Sequence, residues 1–227
     1  MGRQIIILIL LAVAGIASGQ HAFQGGVLPG ISVSKGLGSG WSIGLRGETR
    51  QKLVEGIAGE GSDLGYAHLL ADYSLILSRR SGLNNRISAG YLLRHEPEQV
   101  RHRILQQYTI VSQLSTLRLA HRIASDQTFG GDDPLSVRFR YRLGWEQALR
   151  GQSIDPGELY FKLSNEYLFE IEQDEHDLEM RWQPFLGYYL SDNNKLEGGL
   201  DYRLSSLLNA PGRSRIWLSI NWLISIK

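Results

Sequence analysis

The sequence predicts an all-β fold: a transmembrane, antiparallel, up-and-down β-barrel of about twelve strands, with ten as the alternative if two weak segments fail. Three observations carry this expectation. Residues 1–19 read as a secretory leader. The remaining chain alternates apolar and polar side chains with period two, the spacing that sends successive side chains to opposite faces of a strand. The alternation persists for roughly 10–15 residues per segment, against ~5–6 for ordinary soluble strands.

Composition agrees. The chain has 227 residues, with 26 Gly, 10 Tyr and 5 Trp against 2 Met, a balance that suits strands better than helices. It has no Cys, which excludes a disulfide framework, a thiolate metal site and a Cys nucleophile. Lys and Arg number 24 and Asp and Glu 23, so there is no basic field for nucleic acid.

The leader has Arg3, an apolar core from Ile5 to Ile16, and the small residues Ala17-Ser18-Gly19. A membrane-spanning helix needs about 20 apolar residues, and this core is shorter. Cleavage is expected near Gly19/Gln20, leaving 20–227 as one barrel domain. Loss of Arg3 leaves that domain formally neutral.

Strands are then expected in order. A short one within 21–28 turns at Pro29-Gly30. Weakly alternating segments follow at 30–37, 41–51, 66–78, 86–94, 102–114 and 117–127. The clearest is Leu135–Glu146: Leu135, Val137, Phe139, Tyr141, Leu143 and Trp145 form one face, and Arg138, Arg140, Arg142 and Glu146 lie on the other. Another segment covers 158–168. From 176 to 190, Leu178, Met180, Trp182, Leu186 and Tyr188 oppose Asp177, Glu179 and Arg181. Next, Leu196, Leu200, Tyr202 and Leu204 oppose Glu197, Asp201 and Arg203. The last face is Ile216, Leu218, Ile220, Trp222, Ile224 and Ile226. Gly, Asn and Pro cluster between segments, as at Gly38-Ser39-Gly40, Asp155-Pro156-Gly157 and Asp192-Asn193-Asn194, where they reverse the chain.

Alternation alone fits a soluble barrel, apolar inside, or a membrane barrel, apolar outside. So many rows of large apolar groups would overfill a soluble interior but suit a lipid-facing band. Trp41, Tyr141, Trp145, Tyr167, Trp182, Tyr188, Tyr202 and Trp222 share the apolar parity, as interfacial girdles require. With the leader, this predicts a location in the bacterial outer membrane, surrounded by outer-membrane lipid, rather than a secreted soluble β-protein. Connections appear alternately short and long, which would put the C-terminus on the periplasmic side. The longer ones, 54–65 and 206–213, are candidate recognition loops.

The leader followed by Leu-Pro-Gly-Ile-Ser-Val-Ser-Lys at 28–35 resembles an uncharacterised family of bacterial outer-membrane barrels, domain-of-unknown-function family 2490. So do the segments His121–Phe129, Asp155–Tyr167 and Ser191–Glu197. The resemblance implies an outer-membrane β-barrel and supplies no activity, cofactor or catalytic residue.

The residues themselves offer little chemistry. His121 and Ser125 share the outward parity but lie ~13 Å apart along one strand at about 3.3 Å per residue. No histidine belongs to an H-E-x-x-H motif, and the glycines at 36–40 lack the setting of a phosphate loop. No catalytic, cofactor or metal residue is assigned. The candidate site is a lumen charge network: Arg138, Arg140, Arg142, Lys162, Glu166, Asp177, Glu179, Arg181, Glu197, Asp201 and Arg203. With Glu146 and Glu158, strands from 135 to 205 carry six cations and seven anions of lumen parity, so a near-neutral, charge-paired, largely occluded interior is expected. The expected role is structural or small-solute passage. The alternatives are a barrel enzyme acting on lipid and a surface barrel that binds partners through its loops; no partner protein is identified.

Overall fold

The computed structural model describes residues 22–226 except Ser115, Asp132 and Ala210. The expected leader and its cleavage point lie outside the described residues. The strands are β1 (Ala22–Gly38), β2 (Trp41–Ile57), β3 (Gly61–Arg80), β4 (Asn85–His95), β5 (Val100–Leu114), β6 (Leu117–Phe129), β7 (Ser136–Ala148), β8 (Leu159–Glu172), β9 (Glu175–Ser191), β10 (Asn194–Ser205) and β11 (Arg213–Ile226). Each pairs antiparallel with the next, and β1 pairs with β11 to close a single barrel. Among the described residues there is no helix.

The eleven alternating segments from 30–37 onward correspond to the eleven strands. The expected twelfth strand does not form. Residues 22–38 run straight through Pro29-Gly30, paired with β2 on one side and β11 on the other. The β1–β2 ladder skips Leu28 and Pro29, which accommodates the missing proline N–H without a reversal. Gly30 serves close packing rather than a turn: a Cβ there would lie 2.8 Å from Asn221 Oδ1. Because the strand count is odd, the closing β1–β11 pair is parallel, a departure from the all-antiparallel expectation. Ala22 and Ile226 therefore lie at opposite ends of the barrel.

The connections also differ from expectation. Segment 54–65 is not a free loop: Val54 pairs with Leu64 and Ile57 with Gly61, so β2 and β3 meet in a tight hairpin. The ladder continued because register shifts at Arg50/Gln51 and Lys52/Val54 absorb the irregular alternation there. At the end holding Ile226, the connection 149–158 is long while 39–40, 115–116 and 192–193 are tight. The expected division into a short-turn end and a long-loop end is therefore incomplete.

The faces are inverted relative to a soluble protein. Phe139 is 53% and Ile220 52% exposed, and Leu45, Tyr73, Ile123, Leu135, Trp145, Leu200 and Trp222 are also exposed on the outer face. Arg50, Asp72, Arg103, Asp126, Glu166, Glu197, Asp201 and Arg203 are buried inside. A few large groups are buried with them, chiefly Leu28, Tyr160, Phe185 and Trp217. The Tyr160 ring lies directly over Gly187, where any Cβ would overlap it. Gly187→Val should therefore destabilise the barrel by about 1–3 kcal/mol through overpacking, measured as a lower urea midpoint; an unchanged midpoint would show that the ring can move aside.

Candidate functional site

Register decides which charges meet. Glu166 on β8 faces Arg142 on β7 and Arg181 on β9. Its side chain is fully buried. Arg122 Nη2 donates to Oε1 at 2.9 Å, Arg142 Nη2 to Oε2 at 2.9 Å, and Arg140 Nη2 to Oε1 at 3.2 Å. Arg181 Nη1 lies 3.6 Å from Oε2. One carboxylate thus holds four guanidinium groups together. Asp126 on β6, also fully buried, repeats the arrangement with Arg138 at 2.7 Å, Arg103 at 3.3 Å and Arg140 at 3.3 Å. Arg140 bridges the two anions. Arg181 continues the chain to Glu179, which also binds Arg215 at 3.1 Å.

Like charges face each other across the ladder at Arg122–Arg142 and at Arg203–Arg215. Directly opposed like charges are destabilising. Glu166 relieves the first pair, and Asp201, bound bidentately by Arg203 at 2.7 and 2.9 Å, relieves the second.

Smaller clusters complete the wall. Lys162 Nζ donates to both Glu197 oxygens at 2.9 and 2.8 Å, and Tyr160 Oη donates to Glu197 at 2.8 Å. Arg94 forms a fork on Asp72 at 2.7 Å to each oxygen, the bidentate geometry that makes Arg–carboxylate pairs strong. Arg46 binds Glu48 and donates to Asn221 Oδ1 at 3.2 Å.

Of the expected network, Arg138, Arg140, Arg142, Glu166, Glu179 and Arg181 are joined into one chain of contacts. Lys162–Glu197 and Asp201–Arg203 form separate pairs. Asp177 stands apart, near the β10–β11 connection, where it accepts a hydrogen bond from Ser206 N at 2.9 Å. Of the two further anions counted with the network, Glu146 pairs with Arg118 at 3.2 Å, and Glu158 lies in the β7–β8 connection. Arg46, Glu48, Arg50, Asp72, Arg94, Arg103, Arg122, Asp126 and Arg215 were not among the expected residues. A register shift follows Arg50, and Leu92 and Leu105 on the inner face blur the division around Arg94 and Arg103, but Arg46-x-Glu48-x-Arg50 and Arg122-x-x-x-Asp126 do carry the parity opposite Leu45 and Ile123.

The network surrounds a cavity of about 470 Å³. Among the described residues, thirteen Arg or Lys and six Asp or Glu line it. Asp126 and Glu166, buried in the same network, do not restore balance. The interior is therefore net positive, a correction to the near-neutral lumen expected from strands 135–205 alone. The balancing carboxylates cluster at the barrel end opposite Ile226. They include Glu55, Glu60 and Asp63 in the β2–β3 hairpin, Glu96 and Glu98 between β4 and β5, Asp174 between β8 and β9, and Glu175 at the start of β9. Overall neutrality concealed this separation along the axis.

On the outer face, His121 Nδ1 shares a hydrogen bond with Tyr141 Oη at 2.9 Å, while Ser125 Oγ donates to Gln106 at 2.9 Å. The two side chains are thus engaged with different partners and do not form a nucleophile–base pair. Among the described residues no group of three or more His, Asp or Glu is placed to hold a metal ion.

These features define a class: a closed β-barrel with an apolar outer surface and a cationic, hydrogen-bonded interior. The chain belongs to the family described as protein of unknown function (DUF2490), whose profile matches residues 30–214. No curated protein and no solved structure matches it.

Proposed function

We propose that the protein is an outer-membrane β-barrel whose polar lumen gives passage to small solutes, with its apolar belt in contact with outer-membrane lipid. The observation that carries this reading is the inversion of faces: Phe139 and Ile220 outside, Glu166 and Asp126 inside. Such an outer surface is incompatible with water over so large an area. A charged interior is costly unless the charges are paired or reach water, and this one has both ion pairs and a cavity. The leader-like residues 1–19 supply a route to the envelope. Barrels of about 8 strands are filled by side chains and those of 16–18 hold aqueous channels; eleven strands fall between, in keeping with a narrow, partly obstructed path.

The test begins with outer-membrane fractions and a gel comparing unboiled with boiled protein. A folded barrel migrates differently before boiling. The purified protein is then added to a planar bilayer, where discrete ion-conductance steps are expected. A correctly folded protein that leaves the bilayer silent would overturn passage and leave a purely structural barrel.

A further inference from the structure

Twelve of the thirteen described cations that line the cavity have a carboxylate partner; Arg50 does not. It is only 7% exposed, and its Nε has no hydrogen-bond partner. The carboxylates around it are already committed: Glu48 to Arg46, Asp72 to Arg94, Asp201 to Arg203 and Gln183. Its close contact is instead the Trp217 ring, with Cζ 5.3 Å from the centroid. Trp217 is itself fully buried, and its indole N–H has no acceptor. Both donors are thus left without an acceptor, and of the two only Arg50 lines the cavity. A buried charge without a counter-charge is among the costliest arrangements in a protein.

We propose that Arg50, held over the Trp217 ring, is the binding group for a small oxyanion, a carboxylate or phosphate group on a solute in the lumen. The guanidinium fork suits two oxygens of one anion. The surplus of positive charge around the cavity raises the local anion concentration and draws such solutes toward the site. The inference rests on the reading of the lumen as a solvent-filled passage and narrows it to anionic cargo.

Inorganic phosphate and acetate are titrated separately into the detergent-purified full chain at constant ionic strength, followed by calorimetry. Saturable binding is expected. Arg50→Gln should weaken it roughly tenfold or more, since a hydrogen-bonded charge is lost. Arg50→Lys should fall between, and Trp217→Leu, which removes the ring that holds the guanidinium in place, should weaken it several-fold. Arg101→Gln removes a lining cation paired with Glu96 and Asp133 and should change little. Tighter phosphate than acetate would point to phosphorylated solutes, and the reverse to carboxylates. No saturable binding, equal loss in Arg101→Gln and Arg50→Gln, or no loss in Arg50→Lys and Trp217→Leu would overturn the site. Conductance separates this from the broader reading: ion steps without oxyanion binding sink the site alone, and Arg50-dependent binding in a silent barrel sinks passage alone.

Discussion

Glu166→Gln should lower the stability of the barrel by about 3–5 kcal/mol, the range for removing one partner of a buried ion pair. The substitution preserves shape and removes only the charge. Arg122, Arg140, Arg142 and Arg181 then converge on a neutral amide, with Arg122 still directly opposite Arg142. Urea titration of the unboiled, faster- or slower-migrating gel species reads the effect as an earlier midpoint. Glu55→Gln, whose pair with Lys52 lies along β2 with the carboxylate half-exposed, should change stability by no more than about 0.5 kcal/mol. Adding Arg142→Gln to Glu166→Gln should recover part of the loss, because it removes one of the stranded like charges. Equal midpoints for Glu166→Gln and Glu55→Gln would mean that water, not Glu166, neutralises the arginine cluster.

Leu218→Arg should cost about 2–4 kcal/mol of stability in a bilayer, as expected for a cation on the lipid face near the midplane. Leu218 lies near the middle of β11, half-exposed on the outer surface opposite Leu200. The readout is the fraction of chain that folds into phosphatidylcholine vesicles, again by gel migration. This substitution separates the two meanings of an alternating sequence. In a barrel surrounded by water, a half-exposed Leu→Arg change should alter stability by no more than about 0.5 kcal/mol and would improve solubility. Unimpaired folding of Leu218→Arg into vesicles would therefore remove the membrane reading, whatever the lumen does.

The segments most legible in the sequence were those whose side chains meet the same two environments along their whole length. From Leu135 to Glu146 every second residue is large and apolar, and β7 shows that division directly: Phe139 is exposed outside, while Arg138, Arg140 and Arg142 reach carboxylates inside. Legibility failed where a local cue had two physical uses. Pro29-Gly30 reads as a turn, but a strand beside a ladder gap tolerates proline, and Gly30 leaves room for Asn221. The glycines and carboxylates of 54–65 read as a loop, but register shifts allow them to extend a hairpin. The positive surplus of the lumen is hidden from strands 135–205, which form only part of the wall, because β2 to β6 supply arginines in excess of acids.

Period-two alternation is a property of neighbouring residues, so the sequence alone determined that the chain forms long strands and which residues share each face. Closure after eleven strands, the parallel seam between β1 and β11, the four arginines on Glu166 and the lack of a counter-ion for Arg50 depend on residues far apart in the chain. Those features follow from inter-strand register and curvature, and only the folded barrel sets them.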